Sequence, residues 1–224
     1  MDLSAERRGT LPWGTLDRDT IVAAALELAR TDGLDGVSIR KVADAVGSSR
    51  MALYRHVHDK QELLDLVADE ISRLSADLPV DEDAPWEVRL RAIATSMRVH
   101  LKENPAFAEF IVVHSANGPG GVRMAELITR AVVATGLPPD RVAHHCLVFS
   151  DIVLGRIHRE LAGDPTAAAR NARLLEAAQH VPEATAVRRH DSELRQVHAD
   201  AVFEAEVDMV IAAISAESAR ARTA

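Results

Sequence analysis

The chain has 224 residues and a formal net charge of −8; 47% of its residues are hydrophobic, 27% charged and 3% aromatic. That is the balance of a soluble globular protein of one or two domains, with a core built from Ala, Leu, Val and Ile. The single cysteine, Cys146, excludes an internal disulfide framework, and no apolar run reaches the ~18 residues of a membrane-spanning helix. The opening MDLSAERRGTLPWGT lacks the apolar stretch of a secretory signal, so the expected location is cytoplasmic, with no membrane partner.

Gly and Pro are few and fall between long periodic runs, which predicts an all-α protein. After an N-terminal arm (1–16), DRDTIVAAALELARTDG places Ile21, Ala24 or Ala25, and Leu28 on one helical face, with Asp17 as cap and Gly33 as left-handed stop. SIRKVADAVG follows, with Ser38 as N-cap, Ile39, Val42, Ala43 and Val46 as the apolar face, and Gly47 as terminator. SSRMALYRHV is a helix of barely two turns, with Leu53 and Val57 facing inward. DKQELLDLVADEISRLSADL opens with Asp59 and has Glu62 three residues on, a capping box, before a stripe of Leu63, Leu64, Val67 and Ile71. Two-turn helices do not stand alone in water, so residues 17–75 form one domain in which the short helix leaves one face free.

A linker, 76–85, leads to a second helical domain over 86–218, with 219–224 as a tail. Its predicted elements are Trp86 to Asn104, AFAEFIVVH, VRMAELITRAVVATG ending at Gly136, a long helix over 139–162, TAAARNARLLEAAQH, and a last apolar run over 194–215. NGPGG (117–121) is expected as a break. The thiol of Cys146, in an apolar run, is expected to be buried.

Charge is unevenly spread. Residues 61–224 hold 17 Lys+Arg against 25 Asp+Glu, whereas residues 38–60 hold five basic residues against two acidic. The only basic island is thus the short helix and the one before it. Two helices joined at a tight Gly turn match a helix-turn-helix, whose second helix enters the DNA major groove. On that helix Arg50, Met51, Ala52, Tyr54, Arg55 and His56 are expected at the exposed faces and ends. Arg50, in the first turn, is placed to bridge O6 and N7 of guanine. Tyr54, Arg55 and His56 offer donors to phosphate, as does Lys60 at the start of the next helix.

Residues 17–71, through IRKVA, VG, LYRHV and KQELL, resemble the DNA-binding domain of the TetR family of bacterial transcriptional repressors. The resemblance implies a homodimer with a helical ligand-binding domain, released from a double-stranded DNA operator by a small-molecule inducer; no cofactor and no enzymatic activity are expected. It implies DNA contacts at Ser38, Arg40, Arg50, Met51, Ala52, Tyr54, Arg55, His56 and Lys60. HVHDK and WEVRLRAIATSM are most similar to the tetracycline-repressor branch, and His114 aligns with a histidine that there helps hold drug-bound magnesium. The likeness then fails: drug-contacting polar positions fall on Ala92, Ile93 and Met97, and the expected carboxylate falls on Arg159, one place from Glu160. A more apolar inducer is therefore expected, in a cavity between the helices of 86–135 and the helix of 139–162. Its lining is Met97, His100, Leu101, Phe107, Phe110, His114, Met124 and Phe149, and binding is expected to tilt the helix of 60–75.

Two alternatives accompany this reading. Eight of the ten histidines lie beyond residue 60, which raises a metal-responsive repressor. Adjacent His144 and His145 point ~100° apart on a helix, however, and no Cys–His or HExxH cluster exists, so no metal ligand is assigned. The other alternative is a helical enzyme or adaptor that merely carries a basic helix; for an enzyme, neither a Gly-rich phosphate loop nor a nucleophile elbow is present. The dimer face is expected on the runs 139–162 and 194–215, through Val142, Leu147, Val148, Ile152 and Leu154, and Val202, Phe203, Val207, Val210, Ile211 and Ile214.

Overall fold

A computed structural model describes residues 16–161 and 167–223 of the chain, and every regular element among them is helical. The helices are α1 (Arg18–Gly36), α2 (Ile39–Ala45), α3 (Arg50–Leu53), α4 (Lys60–Ser75), α5 (Trp86–Glu103), α6 (Ala106–His114), α7 (Pro119–Val133), α8 (Pro139–Leu161), α9 (Ala167–Ala178), α10 (Thr185–Arg189), α11 (Asp191–Arg195) and α12 (Ala199–Thr223). They divide into two compact units. One takes the chain through Asp77 together with Glu103–Ala125; the other takes Leu78–Lys102 and the chain from Glu126 onward.

Local signals set the first unit's elements. Asp17 accepts the Thr20 N–H, Ser38 that of Lys41 and Ser49 that of Ala52, so each of the first three helices carries a side-chain cap. Gly33 interrupts the helical path as expected: at φ 70° and ψ −180° it leaves helical geometry, and a short turn to Gly36 follows the break. Gly47, at φ 63°, makes the tight turn after α2. Ile21, Ala25, Val42, Leu53, Val57, Leu63, Val67 and Ile71 form a buried core where α1 meets α2 and α4. Full burial of Leu53 and Val57, each worth about 1.5–3 kcal/mol, holds down the four-residue α3 that could not persist alone.

The first unit also recruits α6, which packs on α1 and α4. Arg30 Nε donates to Asn104 Oδ1 at 2.7 Å, and Phe107, Ala108 and Phe110 are buried. NGPGG, expected as a plain break, instead starts α7 at Pro119. Asp69 of α4 supplies the helix's missing cap, accepting the N–H groups of Gly120 at 3.1 Å and Gly121 at 2.9 Å. The approach is close enough to require glycine: a Cβ at Gly120 would lie 2.2 Å from the Asp69 carbonyl oxygen and 2.8 Å from the Arg73 nitrogen.

In the second unit, α8 packs along α12, burying Val142, Phe149, Val153 and Ile157 with Phe203, Val207, Val210, Ile211 and Ile214. Arg91 of α5 pairs with Glu204 and Asp208 of α12, and Arg98 lies 4.4 Å over the Phe203 ring. The segment after α9 holds two short helices, α10 and α11, that periodicity did not predict; both pack on α9. Arg188 of α10 caps α9 by donating to the carbonyls of Ala178, Val181 and Pro182.

Candidate nucleic-acid interface

The reading segment is built from the inside out. Because Leu53 and Val57 are buried, the residues around them turn to solvent: Arg50, Met51 (74% exposed), Tyr54 (48%) and Arg55, with His56 half-buried. Ala52 departs from expectation. It is only 8% exposed, because its N–H is fixed by the Ser49 hydroxyl at 3.1 Å and its methyl turns toward the core, so it presents almost no surface. After Leu53 the backbone tightens: Arg55 N–H bonds to the Ala52 carbonyl and His56 N–H to that of Leu53. Tyr54 and Arg55 therefore lie on a turn at the end of α3.

The flanking cations are exposed as well. Arg40 is exposed on α2 and pairs loosely with Asp44, one turn on, at 3.9 Å. Ser38 is half-buried, its hydroxyl committed to the α2 cap. Lys60 is exposed in the first turn of α4, beside amide groups that favour an anion. Asp59 accepts the Glu62 N–H at 2.8 Å, the first half of the expected capping box. The second half is shifted: Glu62 Oε2 accepts the N–H of His58 at 2.6 Å, one residue earlier than Asp59, and also meets His58 Nδ1 at 2.7 Å. These bonds, the His58 N–H first and its ring second, hold the Glu62 carboxyl below the usual carboxylate range.

The residues expected to line an inducer cavity are distributed over both units. Phe107, Phe110, His114 and Met124 belong to the first, and Met97, His100, Leu101 and Phe149 to the second. All but the two histidines are buried. His114 is exposed, stacks on Phe110 with ring centroids 4.5 Å apart, and has Nδ1 3.2 Å from the Phe110 carbonyl. His100 Nδ1 lies 2.9 Å from the Ser96 carbonyl. Ala92, Ile93 and Met97 offer no polar group from that stretch of α5, and Ile93 and Met97 are buried. Glu160 is engaged within the second unit, buried against Arg98 at 2.9 Å, Arg156 at 3.3 Å and Lys102 at 3.7 Å.

The histidine pair separates as helical geometry requires. His144 is exposed, whereas His145 is buried with Nε2 2.9 Å from Glu217 of α12, which Arg141 also clamps. The Arg141 and His145 bonds lower the Glu217 carboxyl to about 2. Among the described residues no group of three or more His, Cys, Asp or Glu side chains is gathered to hold a metal ion. Cys146 is half-buried rather than buried, since its helix position borders the open face marked by Leu147; burial still pushes its thiol up. No helix among the described residues is long and apolar enough to cross a membrane.

Comparison with known proteins agrees with this arrangement. Residues 21–67 match the family model for bacterial regulatory proteins of the tetR family, and residues 78–217 match that of the tetracyclin repressor-like C-terminal domain. The HTH-type transcriptional repressor DrrR1 of Streptomyces coeruleorubidus is 32% identical over 155 residues, 69% of this chain and 56% of that protein. An HTH-type transcriptional regulator of Saccharopolyspora erythraea is 30% identical over 169 residues, 72% of this chain and 71% of that protein. In fold, the chain is similar to apo ActR from Streptomyces coelicolor, with a TM-score of 0.80 at 24% identity over 92% of this chain and 98% of that one. ActR in complex with actinorhodin gives a TM-score of 0.76 at 25% identity, over 91% and 98%. With a tetR-family DNA-binding segment followed by a tetracycline-repressor-like C-terminal domain, the chain belongs to the TetR family of transcriptional regulators.

Proposed function

We propose that the protein is a homodimeric repressor that binds a pseudo-palindromic DNA operator and leaves it when a small, largely apolar molecule binds. The observation that carries the reading is the exposed set Arg50, Met51, Tyr54 and Arg55 on a four-residue helix and its flanking turn, with Lys60 exposed at the start of α4. Arg50 reads a base, with Met51 beside it; Ser38, Arg40, Tyr54, Arg55, His56 and Lys60 hold the phosphate backbone. Ala52, almost without surface, at most admits the DNA closely.

A two-fold dimer presents two such faces to half-sites about 34–36 Å apart, one turn of DNA. The dimer face lies along α8 and α12. Their inner apolar residues pack on one another, while Leu147 (68% exposed) and Met209 (69%) remain outside with Ala205, Ala212 and Ala216. The candidate inducer contacts are Phe107, Phe110, His114 and Met124 in the first unit, and Met97, His100, Leu101 and Phe149 in the second, each set mostly apolar. ActR, a similar fold, has been solved with actinorhodin, which supports a small-molecule response here. Hundredfold induction needs only about 2.7 kcal/mol of differential binding between the two states.

Selection of duplexes from a random pool at about 150 mM salt tests the reading. The expected result is enrichment of a two-fold pseudo-palindrome. Enrichment of nothing would remove the reading's main support.

A further inference from the structure

A carboxylate stands within the basic face. Glu62 occupies the first turn of α4, two residues after Lys60, where the helix N-terminus favours a negative charge but the same charge repels DNA, a cost that calls for a reason. Its contacts supply the reason. Oε2 accepts the His58 N–H at 2.6 Å and meets Nδ1 of the same residue at 2.7 Å. Oε1 lies 3.4 Å from the Arg18 guanidinium, and the Glu62 N–H is held by Asp59 at 2.8 Å. One side chain thus joins the start of α1, the turn after the reading segment and the start of α4.

That turn needs a clasp. Between the buried Val57 and Leu63 the chain is exposed at His58 and Asp59 and at Lys60 and Gln61, the first residues of α4. Tyr54 and Arg55 lie just before it. A Lys side chain at the start of a helix with a loose entry turn loses more freedom on gripping a phosphate than one whose entry turn is fixed.

We propose that Glu62 is a positioning residue for operator binding: by clasping His58 it fixes the spacing between Tyr54 and Lys60, and this gain outweighs its repulsion of DNA. The inference rests on the DNA-binding reading above.

Full-length wild type, E62Q and E62A are titrated with the duplex that wild type enriches, at about 50 and 200 mM salt, where phosphate contacts differ strongly in strength. Gln keeps an oxygen able to accept the His58 N–H and removes the charge; Ala removes both. The expected order is E62Q at least as tight as wild type and E62A roughly 5- to 30-fold weaker at both salt concentrations, since geometry is not screened as charge repulsion is. K60A should then cost less in the E62A background than in wild type, a coupling that a mere loss of stability would not produce. Circular dichroism at the titration temperature verifies folding, and E62S, too short to reach His58, replaces E62A should that variant not fold. Tighter binding by both E62Q and E62A would show repulsion alone, and an E62A within twofold of wild type would show no positioning; either overturns the proposal. A wild type that binds no duplex would remove the DNA-binding reading, and the proposal with it.

Discussion

The two outward surfaces of this molecule differ in kind. Around α3, burial of Leu53 and Val57 turns Arg50, Tyr54, Arg55 and Lys60 to solvent. Along α8 and α12, a complete inner seam still leaves Leu147 and Met209 outside. Cations and donors in water cost nothing until they meet phosphate, whereas a patch of exposed apolar side chains is a standing incentive to associate. The first surface suits a polyanion and the second suits another copy of itself. Reading DNA in this account needs both, because α3 is too short to hold an operator alone.

The most forceful way to break the comparison is to make the apolar surface resemble the polar one. Leu147→Glu combined with Met209→Glu should yield monomers in sedimentation velocity and lower operator affinity by roughly 10²–10⁴, the benefit of linking two half-sites. A monomeric variant with unchanged operator affinity would show that the apolar surface plays no part in reading. Next in size are substitutions in the reading face itself. Arg50→Ala should cost about 1–3 kcal/mol on the selected operator and relax selection at one base pair per half-site. Lys60→Ala should weaken selected and random duplexes alike and lower the salt slope by about 1 per half-site. Equal losses on both DNAs for both variants would contradict the division between base and phosphate contacts.

Smaller effects sharpen what holds each surface in place. Gly120→Ala pushes a methyl into the backbone of α4, which cannot yield as a side-chain tip would. A loss of about 1–3 kcal/mol in denaturant unfolding is expected, as for overpacking elsewhere. In the other unit, the Glu217 carboxyl sits below its ordinary value of 4.5, at about 2. Its stabilisation is therefore present above about pH 4.5 and is lost as pH falls from there toward 2. Glu217→Gln should lower the thermal midpoint at pH 7, and the gap to wild type should close on acidification. A gap that stays constant down to pH 2 would mean the clamp on Arg141 and His145 does not discriminate between the two forms of the carboxyl.

Legibility in the sequence followed the reach of each interaction. Caps at Asp17, Ser38 and Asp59, the Gly47 turn and the inward Leu53 and Val57 all arise within a few residues, so spacing alone predicts them. Ala52 was harder, because a helix of four residues ending in a tightened turn does not keep the regular faces that a longer helix would. The shift of Glu62 from Asp59 to His58 is a matter of one residue, below what periodicity resolves. Contacts between distant segments left no local trace. Asp69 meets Gly120 and Gly121 from 51 and 52 residues away, and His145 meets Glu217 from 72. The glycines of NGPGG were readable as a break; that they admit α4 was not. Residues 103–125 likewise pack with the N-terminal helices for reasons that lie in α1 and α4.

Hydroxyl-radical footprinting of the wild-type protein on the duplex it selects tests the central claim most directly. A dimeric operator reader leaves two protected patches on one face of the DNA, centred about 10 base pairs apart and related by a two-fold axis. A single patch, or even protection along the whole duplex, would contradict a dimeric operator reader.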